Sequence, residues 1–209
     1  MSPPRTTGAD RSTEAVIFDL DGTLTVPDLD FDEIRREIGA IQGPILEAIQ
    51  EMPRDARERA MEILERREAF AAARARLRPF ATEVLETLAR RRVPTAVLTR
   101  NSRRSLDRVL NDHGLSVDAR RSREDGAVKP SPEPVLALCA QLGVAVERTF
   151  VVGDYIFDLQ SARAAGATAV LLLPDGEEGH EDEADIVVGD LRAVLALVAD
   201  TATEDGVSS

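Results

Sequence analysis

The chain has 209 residues, of which 43% are hydrophobic, and its 38 acidic and 26 basic residues give a net charge of −12. This length allows one core domain with a modest insertion, and the negative charge argues against nucleic acid or an anionic membrane as a partner. The sequence has no run of the roughly 20 apolar residues that a membrane-spanning helix needs, and its amino terminus is polar. We therefore expect a cytoplasmic protein whose terminal segments, 1–13 and 201–209, are disordered.

The amino-terminal third of the chain predicts one strand followed by helices. The apolar run Ala15–Phe18 is typical of a short buried strand that ends at Asp19. From 26 to 78, apolar residues recur at helical spacing instead. They are Phe31, Ile34, Ile38, Ile41, Ile45, Leu46, Ile49, Met52, Ala60, Ile63, Leu64, Phe70, Ala71 and Leu77. This spacing predicts a small all-helical block.

Strand and helix patterns alternate from residue 79 onward. We predict strands over 95–98, 117–121, 149–152, 168–172 and 186–188, and helices over 82–92, 102–113, 132–142 and 155–165, with a last helix capped by Asp190. The alternation indicates a parallel sheet with crossover helices. We therefore expect an α/β fold with a Rossmann-like parallel sheet flanked by helices. Its core would comprise residues 14–25 and 79–200, with the helical block inserted after the first strand.

Polar residues cluster at the predicted strand ends and in one later loop. The clusters are Asp19-Leu20-Asp21-Gly22-Thr23, Thr99-Arg100-Asn101, Lys129-Pro130, and Gly153-Asp154 with Asp158. Ligands of open parallel sheets bind beyond the carboxyl ends of the strands. These four clusters are therefore the first candidates for a functional site.

The acidic residues of these clusters predict a Mg²⁺ site. Asp19 and Asp21 are two residues apart at a strand end, and Asp154 and Asp158 supply two further carboxylates. Mg²⁺ prefers hard oxygen ligands, and four acids at one sheet edge would repel each other without a cation. The alternative for either cluster alone is an ordinary Asp-rich turn that caps a helix.

The remaining polar residues offer what a bound phosphate requires. Thr99 has a hydroxyl, Asn101 has amide donors, and Lys129 is the only lysine among the 26 basic residues. Arg100 and Arg123 are further candidates, and the alternative for each is an ordinary surface arginine.

The four clusters resemble the four motifs of the haloacid dehalogenase-like hydrolase superfamily, in the family's order. The motifs correspond to residues 19–25, 98–99, 129–130 and 153–158. The helical block, 26–78, lies where that family inserts a small cap domain. The similarity is to the phosphoglycolate phosphatase-like branch with a small helical cap.

The resemblance implies a role for each matching residue. Asp19 would attack phosphorus to form an aspartyl-phosphate, and Asp21 would protonate the leaving alcohol and then activate water. Thr99 and Lys129 would hold the phosphoryl group. The ligands of Mg²⁺ would be Asp19, the backbone carbonyl of Asp21 and Asp154, with Asp158 either binding the ion directly or supporting the other ligands. The residues Gly22, Thr23, Arg100 and Asn101 are expected to contribute to substrate binding.

The family resemblance leaves several activities to separate. Dehalogenases lack an acid at the position of Asp21, and a phosphonatase would need a lysine in the cap, where this chain has none. A magnesium-dependent phosphatase acting on a small phosphorylated metabolite remains, with a phosphomutase or a non-catalytic phospho-ligand-binding protein as alternatives.

The cap arginines Arg35, Arg36, Arg54 and Arg57 could bind a substrate carboxylate, although surface solvation is the preferred interpretation. Neither the substrate nor the oligomeric state can be read from the sequence.

Overall fold

The structure, a computed structural model, describes residues 13–39, 41–174 and 176–198. The segments predicted to be disordered, 1–13 and 201–209, lie outside the described residues except for Thr13, which is buried. The strands are β1 (Ala15–Phe18), β2 (Thr95–Leu98), β3 (Ala119–Arg121), β4 (Thr149–Gly153), β5 (Thr168–Leu172) and β6 (Ile186–Val188). The α-helices are α1 (Phe31–Ile38), α2 (Ile45–Gln50), α3 (Arg54–Arg74), α4 (Ala81–Arg90), α5 (Arg103–Asp112), α6 (Glu133–Leu142), α7 (Ile156–Ala165) and α8 (Arg192–Leu197).

The six strands form one parallel sheet in the order β3-β2-β1-β4-β5-β6. The chain moves outward from β1 through β2 to β3, and then crosses back to β4 on the other side of β1. The order of connection therefore reverses between β1 and β4. Parallel sheets of this kind bind ligands in the crevice at such a reversal. The predicted α/β fold with a Rossmann-like sheet is confirmed.

The sheet is covered by helices on both faces, because side chains of a strand alternate between the two faces. In β1, Val16 and Phe18 pack into one apolar cluster with α4, α5 and α8. Ile17 points to the other face, into a cluster with α6 and α7. These side chains are fully buried, and burying a side chain such as Val, Ile or Phe contributes about 1.5–3 kcal/mol. The two clusters hold the strand ends in fixed positions.

Helices α1 to α3 are inserted between β1 and α4 and have a small apolar cluster of their own. It contains Ile34, Ile45, Leu46, Ile49, Ala60 and Leu64. Two residues predicted on the apolar helical faces are instead exposed, Phe31 by 50% and Phe70 by 58%. The guanidinium of Arg74 covers the Phe70 ring at 4.4 Å. Periodicity identified the helices but could not tell which part of each face meets a partner.

Element boundaries differ slightly from the predicted ones, for local reasons. The third strand begins at Ala119 rather than 117, because the N–H of Thr95 donates to the side-chain carboxylate of Asp118 at 2.8 Å instead of to a backbone carbonyl. Helix α4 ends at Arg90 rather than 92, because Arg92 adopts a left-handed conformation with φ +57°. Asp190 caps α8 as expected, accepting a hydrogen bond from the N–H of Ala193 at 3.0 Å.

Among the described residues, none of the helices has the length and apolar character needed to cross a membrane.

Candidate active site

The candidate site lies at the carboxyl ends of β1 and β4, where the strand order reverses. Phe18 is paired with Val152 in the sheet, and the N–H of Asp19 donates to the carbonyl oxygen of Val152 at 2.9 Å. The residues that follow both strands are therefore brought to one place. Parallel pairing explains why acids more than 130 positions apart in the chain become neighbours.

Three carboxylates converge at this point and could hold a metal ion. Oxygen atoms of Asp19, Asp154 and Asp158 all lie within 4.8 Å of one another. Gly153 is necessary for this approach, because an ideal Cβ there would be 2.3 Å from the Cβ and Cγ of Asp158. A set of clustered carboxylate oxygens is the type of site that Mg²⁺ prefers.

The pKa values of two of these acids fit a cation site. Burial raises the pKa of Asp19 well above its usual range; Lys129 lowers it, and the carboxylates of Asp158 and Asp154 raise it. Burial and the carboxylate of Asp158 raise the pKa of Asp154 to about 6. A divalent cation would offset this repulsion and favour the ionised forms. The donor set therefore fits the Mg²⁺ ion that the family resemblance implies.

Lys129 lies buried between two of the acids. Its ammonium group donates to the carboxylate of Asp19, to that of Asp158 at 2.5 Å, and to the carbonyl of Leu98 at 2.9 Å. Burial opposes its charge, but Asp158 and Asp19 outweigh burial and raise the pKa of Lys129 above its usual range. The lysine is therefore a permanent positive charge beside Asp19.

Asp21 lies next to the three-carboxylate cluster and has different partners. Its carboxylate accepts hydrogen bonds from the side-chain amide of Asn101 and, at 3.4 Å, from the hydroxyl of Thr25. Burial and the nearby carboxylate of Glu68 raise the pKa of Asp21 to about 6, against the lowering effect of Asn101. A carboxyl group with this pKa can both donate and accept a proton near neutral pH.

A small cavity of about 90 Å³ opens onto these groups. It is lined by Asp19, Asp21, Phe31, Thr99, Arg100, Asn101, Lys129, Phe157 and Asp158. Most of the residues predicted for catalysis or substrate binding thus surround one space. Thr99 is buried there, and its hydroxyl accepts the N–H of Asn101 at 3.1 Å.

Gly22 and Thr23 contact Asp154 rather than lining this cavity. The hydroxyl of Thr23 donates to Asp154 at 3.1 Å. Gly22 has φ +85°, and an ideal Cβ at this position would lie 2.0 Å from Oδ2 of Asp154. Of these two residues predicted to bind substrate, Thr23 orients the Asp154 carboxylate by a hydrogen bond and Gly22 leaves the space that this carboxylate occupies.

Two arginines after the strands connect the sheet to the inserted helices. Nη2 of Arg100 donates to both carboxylate oxygens of Glu47 of α2, at 2.6 and 2.8 Å, and Nη1 donates to the backbone carbonyl of Lys129. Arg123 pairs with Glu68 of α3, and the second oxygen of Glu68 accepts the N–H of Ser102 at 3.1 Å. The surface-arginine alternative is therefore wrong for both residues.

Glu47 and Glu68 are site neighbours that the sequence analysis missed. Glu68 follows Leu64 by four positions and precedes Ala72 by four, so it lies on the buried face of α3, and it is only 2% exposed. A charged residue at a core position of a helix is a signal of a buried partner. No comparable pattern marks Glu47.

A second, larger cavity of about 600 Å³ lies between the inserted helices and the strand ends. It shares Phe31, Arg100, Asn101 and Phe157 with the small cavity. The two spaces are therefore adjacent, one bordered by the acids and Lys129 and the other by the inserted helices.

Comparisons with known proteins agree with this geometry. Residues 13–166 match the family model described as haloacid dehalogenase-like hydrolase. A haloacid dehalogenase-like hydrolase domain-containing protein from Arabidopsis thaliana is 27% identical over 190 residues, which cover 85% of this chain and 78% of that protein. A phosphoglycolate phosphatase from Mannheimia succiniciproducens is 35% identical over 99 residues, which cover 46% of this chain and 44% of that protein.

A crystal structure from Haemophilus somnus, described as a predicted phosphoglycolate phosphatase, has a similar fold. Its TM-score is 0.71 at 20% identity, and the match covers 89% of this chain and 98% of that chain. At this level of identity the similarity concerns the fold alone.

Proposed function

The chain belongs to the haloacid dehalogenase-like hydrolase family, and we propose that it is a magnesium-dependent phosphatase that forms an aspartyl-phosphate on Asp19. One observation carries the proposal: the Asp19 carboxylate lies beside Asp154, Asp158 and the buried ammonium of Lys129. A carboxylate can attack a dianionic phosphate monoester only where the negative charge is offset.

Two displacements at phosphorus make up the proposed reaction. An oxygen of Asp19 attacks phosphorus while the bond to the leaving alcohol breaks, and protonated Asp21 gives its proton to that alcohol. The Asp21 carboxylate then takes a proton from water, whose oxygen attacks phosphorus and releases Asp19 and inorganic phosphate. This use of Asp21 as acid and then base is supported by its pKa of about 6.

The surrounding residues stabilise charge and orient the phosphoryl group. Lys129 and the hydroxyl of Thr99 line the small cavity with Asp19 and would interact with the phosphoryl oxygens. Asp19, the Asp21 carbonyl, Asp154 and Asp158 would hold Mg²⁺, and the ion would supply positive charge that offsets the phosphate and the acids. Asn101 keeps the Asp21 carboxyl group directed to the cavity through its hydrogen bond.

We also propose that residues 26–78 act as a cap on a core formed by residues 14–25 and 79–200. Phe31 of α1 lines both cavities together with core residues. A cap in this position would restrict water around the reacting groups and contact the leaving group.

The proposal is tested by phosphate release from p-nitrophenyl phosphate with Mg²⁺ and with EDTA. We expect release that requires Mg²⁺ and that falls at least ~10³-fold in Asp19→Asn, because the nucleophile is lost. Asp182→Asn is the control, since this acid is exposed in the short 3-10 helix Glu181–Glu183 and the substitution makes the same change in charge.

Four outcomes would contradict the proposal. Magnesium-independent release, or full activity in Asp19→Asn, would remove the proposed mechanism. Conversion of a sugar phosphate to its isomer without free phosphate would indicate the phosphomutase. Binding of phosphate esters without any turnover would indicate the non-catalytic alternative.

A further inference from the structure

The larger cavity is unusually aromatic for this chain. The protein has six phenylalanines, one tyrosine and no tryptophan, and Phe31, Tyr155 and Phe157 all line this cavity. Phe31 and Tyr155 remain 50% and 51% exposed. The rings of Tyr155 and Phe157 meet edge to face, with centroids 5.1 Å apart. Exposed aromatic side chains grouped at a concave surface are characteristic of a ligand contact.

The arginines that line the cavity are already paired with acids. Arg35 forms an ion pair with Asp32 at 2.8 Å and donates to the carbonyl of Gly43 at 3.1 Å. Arg100 is paired with Glu47, and its guanidinium stacks at 4.6 Å over the ring of Phe157. Within the described residues, neither arginine on the cavity wall is left without a carboxylate partner.

Acidic residues outnumber these arginines on the wall. Asp30, Asp32 and Glu68 line the cavity as well. Asp30 accepts the N–H of Glu33 as the cap of α1, and Glu68 is paired with Arg123. A second anionic group on a ligand would therefore meet carboxylates and arginines that already have carboxylate partners. Enclosing an unpaired charge in such a place is strongly unfavourable.

The other arginines of the inserted helices do not supply the missing charge. Arg54 pairs with Glu58, and Arg57 donates to the carbonyls of Gln50 and Met52. Neither of them is among the residues that line the cavity. Of the four arginines considered from the sequence as carboxylate ligands, Arg35 lies on the cavity wall with its partner Asp32, and the other three are not among the residues that line the cavity.

The volume of the cavity also favours a leaving group that is larger than two carbons and has apolar surface. A volume of about 600 Å³ lies within the ~300–1,000 Å³ of typical small-molecule sites. A leaving group of two carbons would leave most of this space unfilled, including the part lined by Tyr155. A larger leaving group could bury apolar surface against the rings, which favours binding.

We propose that the substrate is a phosphate monoester whose leaving group is uncharged and packs an apolar face against Phe31, Tyr155 and Phe157. Monoesters that carry a second anionic group on the leaving group, such as a carboxylate, are disfavoured. This inference rests on the proposed function, because it places the phosphoryl group in the small cavity beside Asp19.

The test compares phenyl phosphate with 4-carboxyphenyl phosphate, which differ only in the second anionic group. We expect kcat/KM with Mg²⁺ to favour phenyl phosphate at least ~10-fold, since the carboxylate would be buried without a partner. Calorimetric binding of both esters to Asp19→Asn with Mg²⁺ should show a preference in the same direction. This second measurement does not depend on turnover.

Two matched variants distinguish the effect of the pocket on substrate preference from the effect of the protein's overall negative charge. Glu47→Gln removes the carboxylate partner of Arg100, so it should lower the preference for phenyl phosphate at least ~5-fold. Glu51→Gln makes the same change in net charge on an exposed residue just after α2. It should leave the preference unchanged within ~2-fold, because an exposed charge is screened by solvent.

Each result decides between the two proposals. Equal or reversed preference, or equal effects of the two variants, would overturn the inference while hydrolysis itself stands. Failure of Asp19→Asn, shown to be folded by circular dichroism, to bind either ester would also overturn the inference. Selective binding of phenyl phosphate without hydrolysis by the wild-type protein would support the pocket chemistry and reject the phosphatase function.

Discussion

At the residue scale, Gly22 links backbone conformation to the carboxylate cluster. Its φ of +85° is a conformation that side chains with a Cβ rarely adopt, and the Asp154 carboxylate occupies the space a Cβ would need. Gly143, after α6, has a similar φ of +71° but nothing within 4 Å of an ideal Cβ. Substituting each of the two glycines therefore distinguishes the effect of backbone strain from the effect of displacing Asp154.

We predict that Gly22→Ala and Gly143→Ala each lower the free energy of unfolding by about 1–2 kcal/mol, because both impose a left-handed conformation on alanine. Only Gly22→Ala should reduce Mg²⁺-dependent activity, by at least ~10-fold, since Asp154 must move. Urea unfolding and phosphate release measure the two effects. Comparable activity in the two variants would show that Asp154 is not needed where the structure places it.

At the element scale, the ion pair between Glu68 of α3 and Arg123 connects the inserted helices to the loop after β3. The side chains of Glu68 and Arg123 are only 2% and 7% exposed. Burial raises the pKa of Glu68, while Arg123 and the hydrogen bond from Ser102 lower it. Removing one partner of a buried pair leaves the other charge uncompensated.

We predict that Arg123→Met lowers the free energy of unfolding by about 3–5 kcal/mol at pH 7. Arg104 is exposed on α5, so Arg104→Met should change the free energy of unfolding by no more than about 0.5 kcal/mol. Adding Glu68→Met to Arg123→Met should recover much of the loss, because no buried charge then remains. Urea denaturation measures each value, and additive losses in the double variant would refute the coupling.

The loss in the free energy of unfolding caused by Arg123→Met should depend on pH. The pKa of Glu68 is already raised by burial, and losing Arg123 raises it further. A folded-state pKa above the unfolded value contributes stability that is complete below the unfolded pKa and is lost as pH rises through the folded pKa. The difference in the free energy of unfolding between wild type and Arg123→Met should therefore be small near pH 4 and grow toward pH 8. A difference that grows on acidification would contradict the assignment.

At the scale of the whole molecule, a net charge of −12 adds to the local repulsion among Asp19, Asp154 and Asp158. The sheet holds these acids together because they follow neighbouring strands that are buried on both faces. Folding thus brings like charges into contact, and a bound cation would stabilise the folded chain. Stability should accordingly respond to Mg²⁺.

We predict that Mg²⁺ at about 100 times its Kd stabilises the protein by about 2.7 kcal/mol, which corresponds to a rise in Tm of roughly 5–10 °C. Asp154→Asn should abolish this rise and leave the metal-free Tm equal or higher, because one repelling charge is gone. Differential scanning calorimetry with Mg²⁺ and with EDTA provides the measurement. Asp182→Asn should retain the full Mg²⁺ effect; its loss there would indicate non-specific charge screening.

The sequence by itself determined the order of elements and the set of residues at the strand ends. Apolar runs and their periodicity are local properties, so the sheet and its crossover helices could be predicted with small errors at their ends. The clusters containing Asp19, Asp21 and Asp154 could be placed at one sheet edge because parallel strands share a direction, whereas the loop residue Lys129 was assigned to the site by the family resemblance.

The tertiary structure alone decided how the inserted helices meet the sheet. It paired Arg100 with Glu47 and Arg123 with Glu68, and it left Phe31 facing a cavity instead of the core. Such contacts depend on how separate elements pack, and periodicity within one helix contains no information about its partner. The chemistry of the site was therefore readable from local motifs, whereas the pocket that receives the leaving group was not.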